Sequence, residues 1–244
     1  MPHSEYIKTQ DGATCAVLFI HGILSTPRYF DPFLSAVPEG WDVYNILLDG
    51  HGGTVGDFSR TSMEKWQAQT AARLKELCLH YNKVVVAAHS LGTLLAINEA
   101  PRHPKVTAML LLDVPLMVRV KPSMAVQSLK AAFGKLDAND PWERALREKV
   151  GITLTRRLWQ YLGWVPRFLE LLTLCRQTRD RVGDIAVPCH VFHARQDELV
   201  SMKSARYFQG RDNVTHEVLE HSGHNYISPK DGENIKTALG RLLN

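Results

Sequence analysis

Long apolar runs are missing from this 244-residue chain, and nowhere do 18 apolar residues follow one another. Because a helix needs about 20 such residues to cross a bilayer, we expect no membrane span. The N-terminal stretch MPHSEYIKTQDG is polar and has no apolar core, so we also expect no secretory signal peptide. Internal repeats and low-complexity segments are absent as well.

The sequence also has few cysteines and no large excess of one charge. The four cysteines form neither a CxxC pair nor metal-type spacing with histidine, so we expect buried, reduced thiols and a cytoplasmic protein. The net charge is only +4, and no Lys/Arg-rich tract alternates with aromatic residues. A nucleic-acid partner is therefore not expected.

What the chain does contain is an alternation of apolar strand patterns and helical patterns. Six runs read as strands, at residues 15–20, 43–48, 83–88, 106–112, 189–194 and 214–220. Several are continuously apolar, which is typical of a parallel sheet covered by helices on both faces. The alternation predicts an α/β fold with a doubly wound, mostly parallel sheet.

Three helical patterns accompany these strands. Thr61 and Glu64 have the spacing of a capping box and precede a helical stripe of apolar residues. A second helix should begin at Leu91 and stop before Pro101, because proline cannot continue a helix. A third covers residues 234–243 near the end of the chain.

One region breaks the alternation, because only helix-like runs occur between about residue 115 and residue 184. We therefore expect a helical cap at 115–184, inserted into an α/β core formed by 1–114 and 185–244. Open α/β sheets place their sites at the carboxyl ends of the strands, so the cap should cover that edge.

The cap is basic and rich in large apolar residues. Residues 119–181 carry 13 Lys or Arg against six Asp or Glu, a balance of +7, whereas the rest of the chain has a balance of −3. The apolar side chains either bury the cap against the sheet or line an acyl pocket under a cationic rim that attracts anionic or interfacial substrates. These side chains are Trp159, Tyr161, Leu162, Trp164, Phe168, Leu171 and Leu172.

Ser90 stands between a predicted strand and a predicted helix, in the stretch AHSLG at residues 88–92. One interpretation is a structural serine that caps the following helix. The alternative is a nucleophile elbow, a strained turn in which small residues two places before and after the serine avoid clashes. Ala88 and Gly92 meet that requirement, and the strand–turn–helix context favours the nucleophile.

A serine nucleophile needs a histidine base and an acid that orients the base. His224 lies in the loop after the last predicted strand and is preferred as the base over His221 at the strand end. Asp197 follows the strand at 189–194 and is preferred as the acid over Asp113, which ends the preceding strand.

Two backbone amides are candidates for an oxyanion site. Gly22 follows the first apolar strand and lets the backbone turn, so that the amide of Ile23 points into the site. The second amide is that of Leu91, at a helix N-terminus where free N–H groups and the helix dipole favour negative charge. Three other histidines are expected to be structural: His21, His51 and His89.

The sequence resembles the α/β-hydrolase superfamily, most of all its serine-hydrolase branch of monoacylglycerol lipases, bacterial carboxylesterases and serine aminopeptidases. The segments HGILST, DGHGG, AHSLG, RQDELV and HSGH carry the resemblance, with alanine in place of the commoner first glycine of the elbow. The serine–acid–histidine order along the chain is also that of the superfamily. The resemblance implies a catalytic triad of Ser90, Asp197 and His224. It also implies an oxyanion hole formed by the amides of Ile23 and Leu91.

The resemblance further implies a hydrolase that cleaves small-molecule carboxylic esters through an acyl-enzyme on Ser90, without a metal or organic cofactor. An amidase, aminopeptidase or thioesterase would use the same triad, as would haloperoxidase-like and carbon–carbon hydrolase activities. A catalytically silent fold that binds a ligand under the cap is a further alternative. Weak interfacial contact through the cap is also expected, whereas the sequence does not predict the oligomeric state.

Overall fold

A seven-stranded sheet forms the centre of the computed structural model, which describes residues 3–244. The strands are β1 (Tyr6–Lys8), β2 (Cys15–Ile20), β3 (Trp41–Ile46), β4 (Lys83–His89), β5 (Val106–Leu112), β6 (Cys189–Ala194) and β7 (Val214–Leu219). Their order across the sheet is β1-β3-β2-β4-β5-β6-β7. Every neighbouring pair is parallel except β1 with β3.

In the described residues seven α-helices and several short 3-10 segments accompany the strands. The helices are α1 (Val55–Arg60), α2 (Met63–His80), α3 (Leu91–Glu99), α4 (Pro122–Ala132), α5 (Pro141–Lys149), α6 (Val165–Arg181) and α7 (Pro229–Leu243). The 3-10 segments are Pro27–Ala36, Ala100–Arg102, Leu158–Trp164, Val182–Asp184 and Met202–Phe208. Within residues 3–244 no helix is both long enough and apolar enough to cross a membrane.

Helices cover both faces of the sheet. Apolar side chains of α2, α3 and α6 form one cluster with the sheet, whereas α7 and the 3-10 segment Pro27–Ala36 form the other. Successive residues of β4 alternate between them: Val84 and Val86 belong to the first cluster, Val85 and Ala87 to the second. A strand that is buried on both faces is apolar at every position, which explains the continuous run KVVVAA. The predicted doubly wound, mostly parallel α/β fold is confirmed.

Several local features differ from the predictions. β1 has no counterpart among the predicted strands, because its three residues are exposed and form no apolar run. The capping box predicted at Thr61 is wrong: Ser62 accepts the capping hydrogen bond of α2, while Thr61 donates its hydroxyl to Asp49 at 2.7 Å. A capping box forms instead at the start of α1, between Thr54 and Asp57.

The chain between β5 and β6 contains α4, α5, the 3-10 segment Leu158–Trp164 and α6. α6 packs beside α3, where Thr178 accepts a hydrogen bond from Asn98 Nδ2 at 2.6 Å and Leu174 is buried. α6 therefore also completes one helical layer of the sheet. We propose residues 115–184 as the cap unit, with α6 as the helix that joins it to the core.

The close approach of α3 to β2 leaves no room for a side chain at Gly92. A Cβ atom there would lie 2.1 Å from the carbonyl oxygen of Ile20. We expect Gly92→Ala to lower the free energy of unfolding by about 2 kcal/mol or more, because backbone atoms have to move.

The matched control is Gly240→Ala in α7, where a Cβ atom meets nothing within 4 Å. Alanine in a helix is more stable than glycine by roughly 0.5–1 kcal/mol, so this variant should be as stable as the parent or slightly more so. Urea unfolding followed by circular dichroism measures both variants. An unchanged midpoint for Gly92→Ala would contradict the packing at the elbow.

Candidate active site

Ser90 lies on a strained turn between β4 and α3. Its backbone angles are φ 50° and ψ −121°, and such a conformation costs roughly 1–3 kcal/mol in a residue other than glycine. The Ser90 N–H donates to the Leu112 carbonyl at 2.9 Å, and the Ser90 carbonyl accepts the Thr93 hydroxyl at 2.6 Å. Within the described chain the Ser90 side chain makes no capping hydrogen bond to α3. This geometry disfavours a capping role for the serine.

Small residues let the backbones around this turn come together. Gly92 faces the carbonyl of Ile20 in β2, and a Cβ atom on Gly22 would lie 2.9 Å from the Ser90 Cβ atom. Gly22 therefore brings the loop after β2 directly against the serine. Ala88 is fully buried within the core, so the fold accommodates its methyl group at the position where glycine is commoner.

A buried hydrogen bond joins Asp197 to His224, whose Nδ1–H donates to the carboxylate at 2.7 Å. The other oxygen of Asp197 accepts the backbone N–H groups of Leu199 at 2.6 Å and Val200 at 2.7 Å. Burial opposes ionisation of Asp197, yet the charge and hydrogen bond of His224 and these two N–H groups lower its pKa. Burial alone would lower the pKa of His224, but the charge and hydrogen bond of Asp197 raise it to about 9.

Hydrogen bonds hold the loop that carries His224, both at His224 itself and at the residues just before it. The backbone N–H of His224 donates to Glu198 Oε2 at 3.0 Å. The Ser222 hydroxyl and the His221 backbone N–H both donate to one oxygen of Asp231 in α7, at 2.6 and 2.9 Å. The imidazole of His221 is exposed, so the histidine that reaches the acid is His224.

His89 directly precedes Ser90 in the chain and lies beside His224. The rings of His89 and His224 are 4.8 Å apart, and His89 stacks on Tyr29 at 3.8 Å with ring planes 13° apart. Among residues 3–244 no hydrogen bond links Ser90 Oγ to His224, whereas the contact of His224 with the acid is formed. Hydrogen bonds of this kind are often long until substrate binds. The structure thus joins two of the three predicted residues and places the third nearby.

Two backbone N–H groups near Ser90 have no acceptor in the described part of the chain. Leu24 has φ 58° and donates its N–H to His51 Nε2 at 3.1 Å. The preceding N–H, that of Ile23, makes no such bond, and neither does the N–H of Leu91 in the first turn of α3. These are the two amides that the sequence predicts for the oxyanion site.

His21 and His51 cross-link the loops that follow β2 and β3. His21 donates from Nδ1 to the Gly22 carbonyl at 2.8 Å and accepts the Leu48 N–H at Nε2 at 3.1 Å. Burial lowers the pKa of both imidazoles, that of His51 to about 4, so both are neutral at pH 7. These hydrogen bonds agree with the structural role predicted for the two residues.

Asp113, the alternative acid, lies close to the same pair. It is 2% exposed, has φ 53°, and accepts the Ala194 N–H at 2.7 Å. Burial, and then the charge of Asp197, raise the pKa of Asp113 well above its usual value. Among the described residues no hydrogen bond joins Asp113 to His224, so the direct contact with the imidazole belongs to Asp197.

Helix α5 of the cap contacts the His224 loop at two points. The indole of Trp142 occupies the space beside Gly223, and its ring lies 4.8 Å from that of Tyr226. Lys149 donates to the Asn225 carbonyl at 2.8 Å, and burial lowers the pKa of Lys149 to about 8. The cap therefore touches the loop that holds the imidazole.

A cavity of about 290 Å³ lies within the cap. Gly151, between two of its lining residues, donates its N–H to the Leu24 carbonyl at 2.8 Å and accepts the Gly52 N–H at 2.6 Å. The cavity thus borders the loop that carries the Ile23 amide. Its lining is apolar apart from one arginine: Ala131, Gly134, Leu136, Arg147, Val150, Ile152 and Leu154.

The large apolar side chains of the cap divide into two groups. Trp164 is buried against Phe58 of α1, with ring centroids 5.1 Å apart, and donates its Nε1–H to the Val55 carbonyl at 3.2 Å. Trp159 is 66% exposed and Leu162 is 71% exposed. None of these three side chains lines the cap cavity described above.

Three buried side chains offer atoms that a metal ion could bind: His89, Asp113 and His224, with candidate ligand atoms within 4.8 Å of one another. His224 already donates to Asp197, so a cation would compete with that hydrogen bond. The arrangement fits an acid–base pair better than a preformed metal site.

Sequence reasoning missed three side chains that support the His224 loop: Glu198, Trp142 and Lys149. The one local signal for Glu198 is a second carboxylate directly after Asp197. Trp142 and Lys149 reach the loop from the cap, and no pattern in their own segment marks them.

Solved structures of similar fold cover nearly the whole chain. The structure described for LipS and LipT, two metagenome-derived lipolytic enzymes, has a TM-score of 0.71 and 17% identity, covering 99% of this chain and 97% of that one. The monoacylglycerol lipase of Paleococcus ferrophilus has a TM-score of 0.67 and 18% identity, with 98% of each chain covered. A structure from work on carboxylesterases of Nitrososphaera gargenis has a TM-score of 0.67 and 17% identity, covering 98% and 93%. At these identities the likeness shows the fold alone.

Sequence comparison gives the family. No curated protein matches the chain. The model described as the alpha/beta hydrolase family matches residues 17–231, which is most of the chain and includes Ser90, Asp197 and His224. The chain therefore belongs to the alpha/beta hydrolase family.

Proposed function

We propose that this protein is a serine hydrolase that cleaves carboxylic esters through an acyl-enzyme on Ser90. The observation that carries the proposal is the buried Asp197–His224 hydrogen bond beside a serine on a strained strand–helix turn. A serine hydroxyl is a weak nucleophile and needs such an oriented base. The activities named for the structural neighbours, which are lipolytic enzymes, a monoacylglycerol lipase and carboxylesterases, support an ester as the substrate.

In the proposed reaction Ser90 Oγ attacks the ester carbonyl while His224 Nε2 accepts the hydroxyl proton. Asp197 keeps its hydrogen bond to Nδ1–H and stabilises the imidazolium. The N–H groups of Ile23 and Leu91 donate to the negative oxygen of the tetrahedral intermediate. His224 then protonates the leaving alcohol, and a water molecule activated by the same base hydrolyses the acyl-enzyme and frees the serine.

Amide, thioester and other acyl substrates would follow the same steps, and the leaving group is what distinguishes them. A panel of nitrophenyl esters of graded chain length, run beside aminoacyl amides and acyl thioesters, ranks these classes by kcat/KM. Esters are expected to rank first. A fluorophosphonate probe separates all of them from a catalytically silent fold, because it labels only an activated serine.

We propose that the protein is cytoplasmic. Its four cysteines are free thiols, and burial raises the pKa of Cys175 and of Cys189 to about 12, which keeps both protonated and unreactive. Free, unreactive thiols are suited to a reducing compartment.

We also propose weak interfacial contact through the cap. The exposed apolar side chains of the segment 158–172 include Trp159 and Leu162, and exposed Arg156 and Arg157 lie directly before it. An apolar surface beside cationic side chains is suited to the boundary of an anionic lipid layer.

The first prediction concerns the serine and the histidine. Because such residues act as a unit, Ser90→Ala or His224→Ala alone should lower kcat by about 10⁴-fold or more without unfolding the protein. Ester turnover and circular dichroism measure the two effects. Near-normal turnover in either folded variant would rule out the assignment.

The second prediction concerns the acid. Asp197→Asn should lower kcat by roughly 10⁴-fold, because the amide favours the wrong tautomer of His224. Asp113→Asn is the matched control at the neighbouring strand end and should change kcat little. The reverse ranking would make Asp113 the orienting acid.

The third prediction concerns the cap. The double variant Trp159→Ser/Leu162→Ser should bind anionic phospholipid vesicles more weakly than the parent, in co-sedimentation at low salt. The control is Leu79→Ser, since Leu79 is 70% exposed on α2, outside the cap. Salt should weaken binding of the parent through screening. Equal binding by the double variant and the parent would refute the interfacial proposal.

A further inference from the structure

We propose that His51 is a positioning residue for the oxyanion site: its imidazole accepts the Leu24 N–H and so keeps the Ile23 N–H available beside Ser90. In this arrangement the donor to the substrate is a peptide N–H, and His51 acts through it. The effect on turnover rests on the function proposed above, whereas the hydrogen bond and the tautomer that it requires are tested without a substrate.

The loop after β2 makes a tight turn from Gly22 to Ser25. The Ser25 N–H donates to the Gly22 carbonyl at 3.2 Å, and His21 Nδ1–H donates to the same carbonyl at 2.8 Å. In a planar trans peptide the carbonyl and the N–H point in opposite directions, so the Ile23 N–H points away from these two donors. The turn lies directly against the serine, because a Cβ atom on Gly22 would be 2.9 Å from the Ser90 Cβ atom. The direction of the Ile23 N–H therefore depends on the conformation of this turn.

Leu24 occupies the third position of the turn in a conformation that leucine rarely adopts. Its φ is 58°, and turns with a positive φ at this position usually place glycine there. A side chain makes the conformation costly, so neighbouring groups have to hold it. The Leu24 N–H donates to His51 Nε2 at 3.1 Å, and the Leu24 carbonyl accepts the Gly151 N–H at 2.8 Å. Other parts of the chain thus hold both backbone polar groups of the strained residue.

The buried imidazole of His51 is fixed so that Nε2 faces the Leu24 N–H. Its Nδ1 lies 3.2 Å from the Leu48 carbonyl oxygen and 3.3 Å from that of Asp49, and both oxygens accept its N–H. The ring of Phe58 packs against it with centroids 5.2 Å apart. Because Nδ1 carries the proton, Nε2 is free to accept. Burial lowers the pKa of His51 to about 4, so this acceptor persists at pH 7.

Three parts of the chain meet around Leu24. Leu24 lies in the loop after β2, His51 in the loop after β3, and Gly151 in the cap. Gly52, next to His51, donates its N–H to the Gly151 carbonyl at 2.6 Å. Gly151 is suited to this close approach, because a Cβ atom there would lie 2.1 Å from the Ser25 carbonyl oxygen. Of these three hydrogen bonds only that of His51 uses a side chain, so a substitution at His51 removes it selectively.

Nitrogen NMR of the uniformly ¹⁵N-labelled parent protein tests the hydrogen bond without a substrate. From about pH 6 to about pH 8 His51 should show a protonated Nδ1 and an unprotonated Nε2, because only this tautomer accepts the Leu24 N–H. A scalar coupling across the N–H···N bond should connect the Leu24 amide nitrogen to Nε2. A proton on Nε2 overturns the proposal. This measurement requires no variant to fold and no ester to be cleaved.

The kinetic test compares two substitutions that differ in reach. The side chain of His51→Gln is long enough to place its amide oxygen near the position of Nε2, whereas the shorter side chain of His51→Asn ends near that of Nδ1. His51→Asn should lower kcat for a nitrophenyl ester by about 10²-fold, because the Ile23 N–H loses its placement. KM should change by less than about twofold, since the oxyanion forms only after the substrate has bound. His51→Gln should recover most of the loss in kcat.

Inhibition by a trifluoromethyl ketone gives a second readout. Ser90 Oγ adds to its carbonyl carbon, His224 takes the hydroxyl proton, and the ketone oxygen becomes the oxyanion. The inhibition constant should therefore rise in His51→Asn by about the factor by which kcat falls. Equal kcat values in the two variants would overturn the positioning role, as would a loss of stability with kcat of the folded protein unchanged. A parent that neither cleaves esters nor reacts with a fluorophosphonate would refute the proposed function, and the NMR result would still decide the role of His51 in the turn.

Discussion

The strained turn at Ser90 is the constraint on which the rest of the site depends. A residue other than glycine at φ 50° is costly, and three neighbours keep this one in place: the Leu112 carbonyl of β5, the Thr93 side chain of α3 and the tight contact of Gly92 with β2. The turn ends β4, the central strand of the sheet. The loops after β2, β6 and β7 begin at the same edge of the sheet as this turn. Residues that are distant in sequence therefore lie near the Ser90 hydroxyl.

Few of the ionisable side chains in this buried region carry a charge. Charge that is buried without a partner costs several kcal/mol, and the site limits such charge to the Asp197–His224 pair and its immediate neighbours. His21, His51 and His89 are neutral because burial lowers the pKa of each. Because these three histidines are neutral, the Asp197–His224 pair can gain or lose a proton without a competing charge on them.

The cap is connected to the parts of the site that must be placed most accurately. Gly151 bonds to the loop that carries the Ile23 amide, and Trp142 and Lys149 contact the loop that carries His224. α6 anchors the same unit to α3 through packing and the Asn98–Thr178 hydrogen bond. The position of the cap and the position of the loop that carries His224 are therefore linked through a few contacts.

The sequence by itself determined the sheet, the elbow and the chain order of the serine, acid and histidine, because each depends on a local pattern. Continuous apolar runs predict strands that are buried on both faces, and small residues around Ser90 predict a tight turn. Only the tertiary structure shows that Asp197 rather than Asp113 bonds to an imidazole, and that this imidazole belongs to His224 rather than His221, because both members of each pair lie at strand ends. It also decided that Trp159 and Leu162 face outward while Trp164 is buried, since one apolar pattern fits either side of a cap helix. Local spacing sets which residues share an element, whereas contacts between elements depend on how loops from distant strands meet at one edge.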